Sequence, residues 1–314
     1  MSREAPSDGL EIRYGDARYP RSVAALADAP RVLYVRGDPD ALAVPSLSVV
    51  GSRMPTPYGL ATTELAARLA VEAGLQVVSG GARGCDCAAG MAALDAGGRH
   101  VIVLGTGADV VYPRSSEALI ERTLAEGGAV VSVAPWGTQP QRFLFPKRNR
   151  VIAALSQATF IGEAGLPSGT FSTAEAAIEL GHEVLVVPGS IFSPQSRGAN
   201  YLIGIGACCI ADEEALEMAI SHIYGRLRRP HGTASPARHR DRRWDRVLDA
   251  VVASPLRSDD VAALLGCDIR AALELLGDMT AAGAIEQGID GRYIATKASL
   301  HARTALGHNG VQRR

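Results

Sequence analysis

The chain has 314 residues, 47% hydrophobic and 21% charged, with a formal net charge of −1. That length suits one large domain and a small one, and the near-neutral balance excludes a protein that is basic throughout, so an anionic partner must meet local positive charge. The N-terminus is polar and no apolar stretch reaches the ~20 residues of a membrane span, so a soluble, cytoplasmic protein is expected.

Residues 1–45 read as a lead-in packed on the domain after it, short helical and extended, with DAPRVLYVRGD supplying an edge strand. From 46 to 224, short β-branched runs alternate with longer amphipathic ones. The runs LSVV (47–50), LQVVS (75–79), VIVL (101–104), AVVS (129–132), ATFI (158–161) and EVLVV (183–187) are continuously apolar, as strands covered on both faces are. Helical patterns lie between them at 58–73, 84–96, 115–126, 148–156 and 170–181. This alternation predicts an α/β fold with a doubly wound, mostly parallel sheet. Residues 225–243 hold seven arginines and two prolines and read as a linker. Apolar periodicity returns over 244–296, with helices at 244–253, 258–265 and 268–282 and a hairpin around Asp290–Gly291. Three helices and a hairpin suggest a winged-helix-like domain, and the tail 297–314 is expected to be disordered. The five cysteines have no disulfide-framework or zinc-finger spacing, so reduced thiols are expected, with Cys208 and Cys209 in the core.

Ligands of doubly wound sheets bind beyond the carboxyl ends of the strands, so the chemistry is sought in those turns. Gly51-Ser52-Arg53 combines a tight turn, a hydroxyl and a guanidinium suited to phosphate. Gly80, Gly81 and Arg83 form the second turn, with Asp86 placed either to cap a helix or to hold Arg53 or Arg83. Gly105 and Gly107 form the third. A cationic knot comes next, Lys147-Arg148-Asn149-Arg150, expected at the N-terminal end of the helix 148–156. Positive side chains there oppose the helix dipole unless an anion compensates, and one of the three is expected to turn away to a carboxylate. Phe143 and Phe145 flank the knot as candidates for base stacking. Ser168, Gly169, Thr170 and Thr173 make a hydroxyl-rich helix start, and Glu163 is a candidate to orient the knot's arginines. His100 and His182 adjoin strand starts and read as structural or solvent-facing.

In this order, VVGSR, VVSGGARGCD, LGTG-DVVYP, FPKRNRVIAALS, SGTFSTAEAA and VPGSI…GANYLIGIGA resemble the DprA/Smf family of DNA-processing proteins, over roughly residues 11–220. The resemblance implies an extended Rossmann-like domain that binds single-stranded DNA without catalysis and needs no metal or cofactor. It also implies delivery of the strand to a RecA-type recombinase in natural transformation, and a homodimer. Arg53, Lys147 and Arg148 fall on the family's basic pocket, lined by the glycines. Two positions depart from the family pattern: its histidine is Gly90 and its glutamate is Val133. The resemblance also implies a small helical domain ahead of this region, which residues 1–10 are too few to hold.

A second reading stays open from the residues alone: a nucleotide-binding sensor, or a nucleoside-phosphate hydrolase with Glu163 or Asp86 as its carboxylate. For the C-terminal unit, Glu274 and Asp278 on the last helix favour protein contact over duplex reading.

Overall fold

The computed structural model describes residues 4–227 and 242–300. The chain splits into two compact units, one of residues 1–55 and 62–230 and one of 56–61 and 231–314. Among the described residues no helix is long and apolar enough to cross a membrane.

The larger unit is built on nine strands: β1 (Gly9–Arg13), β2 (Val32–Gly37), β3 (Ser46–Val50), β4 (Gln76–Ser79), β5 (His100–Leu104), β6 (Ala129–Ser132), β7 (Ala158–Ile161), β8 (Glu183–Val186) and β9 (Cys208–Cys209). Their order across the sheet is β1-β2-β6-β5-β4-β3-β7-β8-β9. From β6 to β9 all neighbours are parallel, and β2 joins β6 antiparallel with β1 beyond it. The helices are α1 (Arg21–Ala24), α2 (Pro57–Glu72), α3 (Cys85–Asp95), α4 (Glu117–Ala125), α5 (Leu144–Ala154), α6 (Phe171–Glu179), α7 (Arg197–Gly204) and α8 (Glu213–Tyr224).

The strands are continuously apolar because both faces of the sheet are covered. Side chains alternate faces along a strand. Val101 and Val103 therefore pack with Val151 and Ile152 of α5, whereas Ile102 and Leu104 pack with Leu94 of α3 and Leu119 and Ile120 of α4. Each such fully buried side chain contributes on the order of 1.5–3 kcal/mol. Tyr224 ties α8 to the sheet: its hydroxyl donates to the Ser46 carbonyl at 2.6 Å and accepts from the Ala158 N–H at 3.1 Å.

One polar ring inside these layers is paired on both nitrogens. His100 is fully buried, with Nε2 2.9 Å from Ser79 Oγ and Nδ1 3.0 Å from Thr123 Oγ1. Its ring lies against Gly90, where a β-carbon would stand 2.5 Å from Cε1. So at the position where the family pattern places a histidine, an imidazole from the neighbouring strand fills the space.

Three expectations are corrected here. The segment containing β2 is not the sheet's edge, because β1 pairs outside it, and the lead-in is thus part of the sheet. Helix α5 starts at Leu144, one turn before the predicted boundary, so the cationic knot lies inside the helix, where the dipole penalty has largely faded. Cys208 and Cys209 are exposed rather than core, since β9 is a two-residue strand at the rim. Alkylation under native conditions should accordingly modify Cys208 and Cys209 and spare Cys85. That thiol is buried and its pKa is pushed up to about 12, chiefly by desolvation. Mass spectrometry after brief iodoacetamide treatment reads this, and early loss of the Cys85 thiol would contradict the packing.

The smaller unit contains α9 (Arg242–Ala253), α10 (Ser258–Leu265), α11 (Ile269–Ala281) and an antiparallel pair, β10 (Ile285–Gln287) and β11 (Tyr293–Ala295). Val247, Leu248, Val261, Leu276, Met279 and Ile285 form its own core. The hairpin turns at Gly291, whose φ of 77° is the left-handed conformation glycine adopts without strain. Residues 297–300 are helical and Leu300 packs on this core, so the ordered unit extends past the expected boundary at 296. Most of the expected linker 225–243, and the tail beyond 300, lie outside the described residues.

Candidate functional site

The chain enters the sheet's parallel part at β3 and builds outward to β4, β5 and β6. It then returns to lay β7, β8 and β9 on the other side of β3. The neighbouring strands β3 and β7 therefore form the topological switch point, where the turns after the two strands diverge and leave a crevice. A cavity of about 500 Å3 opens there. Gly51, Ser52 and Arg53 line it from the turn after β3, and Ser168, Gly169, Thr170 and Thr173 from the turn after β7 and the start of α6. Helix α5 forms a third wall with Phe145, Arg148 and Asn149.

Arg148 is the most constrained of these groups. It is 4% exposed. Its Nη1 donates to the Val103 carbonyl at 3.0 Å and lies 4.0 Å from Asp86 Oδ2. The guanidinium rests directly over Gly80, where any β-carbon would collide with it. Asp86 is not the cap of α3, whose N-cap is Gly84; its Oδ2 accepts the Gly80 and Ala82 N–H groups at 3.1 and 3.4 Å. Burial pulls the Arg148 pKa down to about 10 against the pull of Asp86, and burial raises that of Asp86 against the pull of Arg148. Desolvation thus dominates both partners. Arg148 Nε is buried with no hydrogen-bond partner among the described residues. An unpaired donor on a buried cation at a cavity wall is suited to an anion.

Phe145 lies close to two cations. The guanidinium carbons of Arg53 and Arg148 are each 5.9 Å from its ring centroid, and the ring of Tyr112 lies 6.2 Å away, tilted by 52°. Gly105 is required beneath it, since a β-carbon would come within 2.8 Å of the ring. The wall therefore offers an aromatic face close to positive charge, the combination that stacks a base beside its phosphate.

The knot does not act as one unit. Only Arg148 and Asn149 line this cavity; Lys147 and Arg150 line a separate groove on another face of α5. Arg150 is the residue that turns to carboxylates, donating to Asp28 at 2.7 Å and to Glu179 at 2.8 Å. Asn149 is occupied as well, its Nδ2 donating to Ser172 Oγ at 2.7 Å and to the Gly169 carbonyl at 3.3 Å, so it pins the loop. Lys147 stands 5.6 Å over the ring of the exposed Phe143, and neither lines the cavity.

Other predicted residues act at one remove. Arg83 is exposed and donates to the Arg53 carbonyl at 3.3 Å. Gly81 and Gly107 shape the second and third turns without lining the cavity. Glu163 is buried, its carbonyl accepting the Ser52 N–H, and Asp86, placed by the sequence to cap a helix or to hold Arg53 or Arg83, stands instead beside Arg148 of the knot. Sequence reasoning missed Arg142, Met54 and Ser172, all of which line the cavity. Arg142 lies in the turn before α5, ahead of the helix predicted at 148–156, so helical spacing gave no signal for it.

The family model described as DNA recombination-mediator protein A matches residues 11–221. The Smf protein of Escherichia coli is 40% identical over 200 residues, covering 63% of this chain and 54% of that protein. The DNA processing protein DprA of Streptococcus pneumoniae is 40% identical over 192 residues, covering 61% of this chain and 67% of that one. The chain thus spans about half to two thirds of the length of these relatives. An X-ray structure of the Streptococcus pneumoniae protein superposes with a TM-score of 0.62 at 37% identity, over 67% of this chain and 74% of that one. A structure of DNA processing protein A from Helicobacter pylori, described by its single-stranded DNA binding mode, gives a TM-score of 0.62 at 28% identity, over 71% of this chain and 100% of that one. With the motifs in order, the switch-point cavity in place and the family model matched across the larger unit, this chain belongs to the DNA recombination-mediator protein A family.

Proposed function

We propose that this chain binds single-stranded DNA in the switch-point cavity without chemically altering it, and passes the strand to a RecA-type recombinase in the cytoplasm, working as a homodimer. The observation that carries the binding is Phe145, close to the guanidinium groups of Arg53 and Arg148 at a cavity wall that also carries Arg142. A duplex keeps its bases stacked inward, whereas a single strand can splay a base onto such a ring, each stacked base contributing about 1–3 kcal/mol. The recombinase, the dimer and the cellular setting rest on family membership. The smaller unit is proposed as winged-helix-like and as a protein-contact module, because Glu274 and Asp278 on α11 would repel phosphates.

The test is fluorescence anisotropy of a labelled oligothymidylate, with duplex and mononucleotide as competitors. Arg53 is exposed, so Arg53→Ala leaves packing intact and is expected to weaken binding at least about tenfold, equivalent to ~1.4 kcal/mol. It should also make the dependence of log affinity on log salt shallower by about 0.7, the value of one phosphate contact on a single strand. Unchanged affinity would remove the cavity from the interface. Displacement by a mononucleotide would favour instead a nucleotide site with Asp86 beside Arg148.

A further inference from the structure

The groove on the other face of α5 has no part in the binding proposed for the cavity. Its volume is about 400 Å3, within the ~300–1,000 Å3 of small-ligand sites. Val32 and Tyr34 of β2, Val133 after β6 and Leu144 of α5 give it a largely apolar floor, and Arg31 and Lys147 stand on it as cations. Arg150 is already matched there by Asp28 and Glu179. Arg31 and Lys147 carry no ion pair among the described residues.

The groove and the cavity lie on either side of α5. Phe145 and Arg148 look into the cavity, and their neighbours Leu144 and Lys147 into the groove. On the exposed side of α5, Pro146 lines the cavity and Lys147 the groove, and successive residues are ~100° apart on a helix ~10 Å across, so the two openings lie on the order of 9 Å apart there. A single strand spans that distance within a few nucleotides. Phe143 with Lys147 above its ring marks the crest between the openings.

We propose that this groove is a second subsite for the same single strand: the strand crosses the crest of α5 at Lys147 and lays a base over the groove's apolar floor, with Arg31 meeting a phosphate. The inference rests on the proposed strand binding in the cavity and extends it. Val133 leaves the floor without a carboxylate at that position, and a carboxylate there would repel the strand.

The test uses the full chain and labelled oligothymidylates of about 5 and about 20 nucleotides, bracketing the site sizes of single-strand grooves. Wild type should bind the longer strand more tightly. Val133→Glu and Arg31→Ala should each cut affinity for the longer strand several-fold and leave the shorter one unchanged, whereas Arg53→Ala should weaken both. Arg31 is exposed, so its variant remains informative even if Val133→Glu lowers the melting temperature. Unchanged binding of both lengths by Arg31→Ala and by a folded Val133→Glu, with Arg53→Ala still impaired, overturns the second subsite and leaves the cavity standing. If those groove variants instead lose only a purified RecA-type recombinase, the groove is a protein site and the proposal likewise falls. If Arg53→Ala also binds normally, strand binding in the cavity fails with it.

Discussion

Replacing Arg148 by alanine is expected to lower both stability and strand affinity, with the larger loss in stability. Its guanidinium is one half of a buried pair with Asp86, and the 4.0 Å separation is long for a contact pair. What makes it matter is burial, since Asp86 is 6% exposed and would be left as a carboxylate with only two backbone N–H donors. Removing one partner of a buried ion pair typically costs ~3–5 kcal/mol, because the other charge is stranded. At roughly 2–4 °C per kcal/mol for a domain of this size, the melting temperature should fall by about 10 °C. The Val103 carbonyl loses its donor at the same time. Asp86→Asn in the same background should recover much of the loss, because the stranded charge disappears, and a double-mutant cycle measures that coupling. Arg148→Lys should rescue poorly: one ammonium cannot present the planar fork that reaches both Val103 and Asp86. A melting temperature within a degree or so of wild type for Arg148→Ala would show that the pair contributes nothing.

The second large effect is a dependence on pH centred on His100. Desolvation lowers its pKa from 6.5 to about 3 in the fold. Between those values the unfolded chain binds a proton that the folded chain does not, so this contribution is complete above pH 6.5 and is lost as pH falls toward 3. The full range amounts to something on the order of 4–5 kcal/mol, about 2 of it spent by pH 5. His100→Gln, which keeps a polar side chain between Ser79 and Thr123, should destabilise at neutral pH yet show a flatter decline on acidification. The two melting curves should therefore converge between about pH 7 and about pH 5. Parallel curves would mean that His100 is not the acid-sensitive group.

His100 also illustrates what a linear reading misses. Its position at the start of a strand is plain in the sequence, but its partners come from β4 and α4, more than twenty residues away on either side. Gly90 looks like a lost side chain until the ring of His100 is seen packed against it.

The sequence by itself determined the strands, because a sheet covered on both faces demands uninterrupted apolar runs, and VIVL or ATFI can satisfy that demand in few other ways. It also determined that Gly51-Ser52-Arg53 and Ser168–Thr173 come directly after strands, and hence that they meet at one rim. The tertiary structure decided how the cationic knot is shared out. Consecutive side chains on a helix point ~100° apart, so which of Lys147, Arg148 and Arg150 enters the cavity depends on how α5 is rotated against β5 and α6. That rotation is set by the burial of Val151 and Ile152 and by the Arg148 bond to Val103, contacts between segments far apart in the chain. The fate of Cys208 and Cys209 was decided the same way, by sheet order: the same apolar run would be core in the middle of the sheet, and at its rim it is surface.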